Sequence, residues 1–280
     1  MMAALRSPDI KIFTIFLLPS LAFVGVIFIY PVLRVLLISV TDPQPGFANY
    51  ALLVDNPALR RVFITTIRIA ALTTLVSVLL GYLLAWRMHV ARAAELRIIV
   101  FCLMFPLWTS VLVRAYAWVA LLQNNGIVNS ALLALGVVDR PLPMSRNELG
   151  VLIGMVHVMV PYATLPIYAA MKGIDPRLMQ AARSLGATSW PAFWRVFLPL
   201  TLPGVGAGMI LVFITSIGFY VTPIILGGGK VVMIAEYISV QITETLRWGL
   251  GSMLATVLLA IVLLFVFAFR RLTVLRQGAA

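Results

Sequence analysis

Few residues in this 280-residue chain are of a type that does covalent chemistry, and none is spaced for it. There are two histidines, His89 and His157, one cysteine, Cys102, and nine acidic residues. They form no Ser/His/Asp or Cys/His set and no metal-ligand cluster. No catalytic residue, metal or cofactor is therefore expected, and a single cysteine excludes a disulfide framework within the chain. Gly227-Gly228-Gly229 before Lys230 lacks the spacing of a phosphate-binding loop and reads as an outer turn. The chain is not expected to hydrolyse ATP by itself.

What the sequence offers instead is a segment shaped for contact, 175–199. Asp175 is a good N-cap, and Pro176 fits the first position of a helix over Pro176–Leu185. Gly186 is placed to end that helix in a left-handed turn. Ser189 can cap a second short helix with Trp190, Phe193, Trp194 and Val196, which Pro199 is expected to stop. Ala181, Ala182 and Leu185, flanked by Arg177 and Arg183, would let another surface approach the first helix closely. An amphipathic helix resting on lipid headgroups fits the same residues equally well.

The elements that position this segment are apolar. Hydrophobic residues make up 62% of the chain, charged residues 11%, and mean hydropathy is +1.06. Soluble domains run at about 25% charged, so the excess apolar surface must face lipid. Stretches over 12–40, 62–86, 98–122, 149–171, 204–226 and 250–269 each approach or exceed the roughly 20 residues that cross a bilayer as a helix. The first is too long for a signal-peptide core and reads as a retained span. Together they predict an all-α membrane protein of six transmembrane helices in a single permease-sized domain, 1–280.

The net charge of +12 is topological rather than a signal of nucleic acid. With the N-terminus inside, 12 basic residues fall on the cytoplasmic side, counting Arg6 and Arg276, six fall outside and three lie within spans. The excess of Lys and Arg in cytoplasmic loops then puts both termini and 175–199 in the cytoplasm.

Gln180-Ala181-Ala182, three residues, Gly186, nine residues, Val196, one residue, Leu198-Pro199 resembles the EAA signature of ABC importer permeases at every spacing. Gln180 replaces the family's glutamate, and Val196 its isoleucine. The resemblance covers about Asn49 to Arg271. Phe105-Pro106-Leu107-Trp108-Thr109-Ser110, Arg114-Ala115-Tyr116, Gln123 with Gly126 and Asn129, and Gly218-Phe219-Tyr220-Val221 bring it nearest the spermidine/putrescine group and its opine-uptake relatives.

The resemblance implies a type I importer permease of the bacterial inner membrane that is not itself an enzyme. Its partners would be a second, usually different, permease chain, a cytoplasmic ATPase dimer, a periplasmic solute-binding protein and membrane lipid. Segment 175–199 would be the coupling helix, with Gln180, Ala181, Ala182, Leu185, Gly186, Leu198 and Pro199 at the ATPase contact. Polyamine is the expected cargo, with an opine or amino-acid derivative, phosphonate or ferric iron as alternatives. A channel or scaffold without an ATPase is the reading from a different class.

Within the spans, Trp108, Tyr116, Phe219 and Tyr220 are candidates for an aromatic gate, although packing explains such residues as well. Arg114 should face protein or water, either on the pathway or bonded to carbonyls freed near Pro106 or Pro161. Arg34 and Arg68 fit snorkelling side chains, and His157 a packed polar residue. No acid lies within a span, leaving Asp42, Glu236 and Glu244 to attract cations at the outer mouth.

Overall fold

The computed structural model describes residues 8–277, and every element in that range is helical. Arg6 lies outside the described residues. In chain order the helices are α1 Pro8–Val24, α2 Tyr30–Thr41, α3 Ala48–Asp55, α4 Pro57–Val90, α5 Ala93–Trp108, α6 Val111–Leu122 and α7 Ile127–Ala134. They continue as α8 Glu148–Lys172, α9 Pro176–Ser184, α10 Ser189–Ala192, α11 Leu198–Ile217, α12 Val221–Gly227, α13 Ile234–Thr243 and α14 Trp248–Gln277. Five stretches are long and apolar enough to cross a membrane: Phe16–Thr41, Pro57–Val90, Glu148–Lys172, Ser189–Ile217 and Trp248–Phe269. A sixth exists if Ala93–Trp108 and Val111–Ala134, bent by 103°, count as one.

Local chemistry departs from simple spans at four places. The continuous stretch expected over 98–122 is broken at Thr109 and Ser110, both extended. Pro106 lies one turn upstream, and Thr109 folds back so that its Oγ1 donates to the Pro106 carbonyl at 2.8 Å. The stretch expected over 204–226 ends at Ile217 and resumes at Val221. Pro199 does not stop a helix, because a π-turn over Phe193–Phe197 carries the chain straight into α11. A second π-turn, Gly25–Ile29, joins α1 to α2. Both π-turns end two residues before a proline, Pro31 or Pro199. A proline ring collides with the carbonyl four residues back, and one extra residue in the turn relieves that collision without a break.

The chain forms two compact units. One comprises residues 8–56 with 238–261. In it Phe16–Thr41 buries none of its apolar stretch, so these side chains meet lipid or another chain. A polar knot closes the end of α2. Asn49 donates to the Asp42 carbonyl at 2.7 Å, and Ser39 Oγ lies 2.9 Å from the Tyr50 hydroxyl. The Asp42 carboxylate is spent on the backbone N–H of Gly249 in the first turn of α14.

The other unit, 57–237 with 262–277, is built on α4, α8 and α11. Glycines set its spacing. A Cβ on Gly81 would stand 2.8 Å from the Ala163 Cβ, one on Gly204 2.4 Å from the Ala170 Cβ, and one on Gly208 3.0 Å from the Ala163 carbonyl. Bilayer helices associate by such close approach rather than by hydrophobic exclusion. Thr66, Thr74 and Thr164 return their hydroxyls to the carbonyls of Val62, Ala70 and Val160, which satisfies these three buried groups, whereas Thr73, Ser77 and Ser216 have no such partner. Arg68 pairs with Glu148 between α4 and α8.

Candidate functional site

Segment 175–199 begins as its residues dictate. The Asp175 carboxylate accepts from the Arg177 N–H at 2.9 Å, and Pro176 opens α9. Helix α9 ends in a Schellman turn. Ala187 N–H bonds the Ala182 carbonyl at 3.0 Å, Gly186 N–H bonds that of Arg183 at 2.9 Å, and Gly186 takes φ +87°. The next cap differs from expectation. Thr188, not Ser189, is the N-cap of α10, and it makes no side-chain bond.

The predicted contact residues share this surface. Gln180, Ala181 and Gly186 are exposed, Ala182 is half-buried, and Leu185 is 90% exposed. Ala181, Ala182, Leu185 and Gly186 line a cavity of about 680 Å³ with Pro191 and Arg195. Leu198 and Pro199 lie beyond it at the start of α11, with Pro199 exposed. The opposite side of the segment is anchored. Met179 and Phe193 pack on a core that includes Met171, Phe197 and Val212. Trp86 of α4 meets the rings of Phe193 and Phe197 edge-on at 5.2 and 5.0 Å. Such contacts add about 0.5–1.5 kcal/mol each beyond burial, so the exposed face rides on a rigid base.

The aromatic and cationic candidates are spread more widely. Trp108 ends α5, is 75% exposed and meets Phe101 on its own helix. Tyr116 on α6 is 63% exposed. Phe219 is half-buried against both apolar clusters of this unit, and Tyr220 caps α12 at 41% exposure. Arg114 donates from Nη2 to the Thr109 carbonyl at 3.0 Å, at the break between α5 and α6. Its Nε and Nη1 are shielded and have no acceptor.

Two relationships go beyond what the sequence predicts. Trp118 Nε1 donates to His157 Nδ1 at 3.1 Å, so the neutral imidazole holds its proton on Nε2. These two residues and Cys102 border an almost wholly apolar cavity of about 470 Å³. Asn129, fully buried, donates to the carbonyls of Gln123 and Leu142 and accepts from the Leu142 N–H, fixing the connection after α6. Among the described residues no group of His, Cys, Asp and Glu is arranged to hold a metal ion.

Comparison with known proteins follows the same lines. The profile of a family described as binding-protein-dependent transport system inner membrane component matches residues 77–273. The spermidine/putrescine transport system permease protein PotB of Haemophilus influenzae is 32% identical over 216 residues, covering 77% of this chain and 76% of that protein. The Escherichia coli K12 protein of the same name is 33% identical over 227 residues, covering 80% and 82%. Among solved structures, a chain of a bacterial alginate ABC transporter in complex with an alginate pentasaccharide-bound periplasmic protein superposes with a TM-score of 0.77 at 19% identity, over 95% of this chain and 96% of that one.

Proposed function

This chain belongs to the binding-protein-dependent transport system inner membrane components and is a multi-pass permease subunit of an ABC importer, and we propose that it carries a polyamine across a bacterial inner membrane. The observation that carries the cargo reading is the 32–33% identity to two spermidine/putrescine permeases over more than three quarters of the chain.

In this reading both termini and 175–199 face the cytoplasm, where the excess of basic residues lies. A separate ATPase dimer grips the face formed by Gln180, Ala181, Ala182, Leu185 and Gly186, with Leu198 and Pro199 passing its motion into α11. The exposure of Leu185 beside Leu178 on one cavity supports this, since clustered apolar side chains on a capped, anchored turn suit a covering partner. ATP binding favours one permease conformation only by the difference in affinity between the two. The ring contacts among Trp86, Phe193 and Phe197 give movement of the segment a direct route to α4. A second, different permease chain completes the pathway, and a periplasmic binding protein delivers the cargo. Trp108, Tyr116, Phe219 and Tyr220 are the proposed aromatic lining, where a ring face attracts an ammonium group by about 0.5–2 kcal/mol.

One observation favours a second cargo. The unpartnered Nε and Nη1 of Arg114 suit a carboxylate, as an opine or other amino-acid derivative would bring. Uptake by the assembled complex in proteoliposomes decides between them. Radiolabelled spermidine accumulating with ATP, and not competed by amino-acid derivatives, supports the polyamine reading. The reverse pattern removes it.

A further inference from the structure

The carboxylates among the described residues divide by what they touch. Asp42 bonds Gly249 N–H, Glu95 and Glu148 pair with Arg87 and Arg68, and Asp175 caps α9. Asp55, Asp139 and Glu244 are exposed to solvent. Glu236 fits neither group. The backbone N–H of Met233 donates to its carboxylate, which orients it, yet Oε2 is shut off from solvent and has no hydrogen-bond partner. Among the described residues no cation pairs with it.

The position is rigid. Glu236 is the third residue of α13, and the first N–H of that helix, on Ile234, is held by Thr66 Oγ1 at 2.8 Å. Met233 and Ile234 are fully buried, and Met233 belongs to an apolar cluster with Ile69, Val151 and Leu226. Along α4, Thr66 lies about 30 Å from Trp86, at the end remote from 175–199. A carboxylate oxygen held in apolar surroundings without a donor is strongly unfavourable unless a cation arrives to pair with it.

We propose that Glu236 is the acidic contact of this permease for a cationic nitrogen arriving from outside the chain, namely an alkylammonium group of the cargo. The inference rests on the polyamine reading and deepens it. Met233 N–H holds the carboxylate in place, leaving Oε2 to accept from an ammonium group, which has three donors. Because Oε2 is shielded in this conformation, the contact forms when that end of the helices opens to take the cargo. A lysine or arginine of a partner subunit offers the same chemistry, and the test separates the two sources.

The test uses the complete complex with its binding protein in proteoliposomes, and compares wild type with Glu236→Gln, which keeps the shape and the acceptor for Met233 N–H but not the charge. The expected result is at least a tenfold loss of spermidine uptake, with subunit retention and binding-protein affinity within twofold of wild type. Uptake within twofold of wild type overturns the proposal. A tenfold loss of subunit retention or of binding-protein affinity, at unchanged thermal stability, also overturns it by assigning the cation to a partner subunit. If Glu236→Gln loses thermal stability and does not fold, Glu236→Asp, which keeps the charge but withdraws it by one methylene, is read instead. A spermidine KM raised severalfold supports the contact, and an unchanged KM overturns it. A wild-type complex that takes up no spermidine overturns the polyamine reading and the ammonium contact together, whereas wild-type uptake with an indifferent Glu236→Gln removes the contact alone.

Discussion

The Asp42 carboxylate Oδ2 accepts a 2.6 Å hydrogen bond from the Gly249 N–H, across a sequence separation of 207 residues. It serves the first turn of α14 as an N-cap would, but from a distant part of the chain. Capping groups contribute about 0.5–2 kcal/mol. Asp42→Ala should therefore lower stability by about 1 kcal/mol in detergent unfolding. Gly249→Ala should cost more, because its Cβ would stand 2.0 Å from the Asp42 carbonyl oxygen.

The glycine spacing of α4, α8 and α11 makes a second prediction. A Cβ at Gly204 meets both Ala170 and the Pro166 carbonyl at 2.8 Å or closer. Backbone cannot give way as a side chain can, so Gly204→Ala should destabilise by about 1–3 kcal/mol, as overpacked cores do. Gly25, half-buried but with open space around an added Cβ, serves as the control and should tolerate alanine. Thermal melting of the purified permease distinguishes the two.

At the proposed ATPase face, Gly186 has no atom within 4 Å of an added Cβ, but its φ is +87°. Gly186→Ala should cost about 1–2 kcal/mol of local backbone strain and weaken ATPase retention modestly. Leu185→Asp leaves the backbone alone and should abolish retention during purification in mild detergent. Retention equal to wild type in Leu185→Asp would remove this face as the docking surface.

Glu236 gives the pH dependence its sign. Burial pushes its carboxyl above the usual carboxylate range, against the opposing hydrogen bond from Met233 N–H. The folded protein then holds this proton more tightly than the unfolded chain does. Its contribution to stability is greatest on the acid side and is lost as pH rises from the unfolded value, near 4.3, through the raised folded value. Unfolding measured across that window should show this fall in wild type, and Glu236→Gln should flatten it.

Tyr220→Ala should reduce cargo uptake by several-fold while leaving complex assembly intact. Unchanged uptake would take Tyr220 off the proposed pathway.

Much of this arrangement was legible because it is locally encoded. Asp175, Pro176 and Gly186 act within four residues of themselves, so cap, first turn and Schellman end could be read directly. The apolar runs likewise announce helices, since lipid leaves backbone groups no other way to be satisfied. Elsewhere the determinants are longer-ranged or more subtle. The break at Thr109 and Ser110 follows Pro106, yet Pro161 and Pro166 lie within the unbroken α8, so proline alone does not say which helix will part. Pro199 looked like a stop because the π-turn before it has no residue signature. The partners of Asp42, Arg68 and His157 come from distant helices and leave no trace in sequence spacing.

The exposed Leu185 has a consequence for the cell. Until the proposed partner covers it, the subunit displays Leu185 on a rigid turn together with Leu178, which lines the same cavity, the kind of apolar patch that quality-control chaperones and proteases recognise. With the proposed ATPase docking on this face, a permease synthesised in excess of it should be short-lived, so that the scarcer component sets how many importers the membrane keeps.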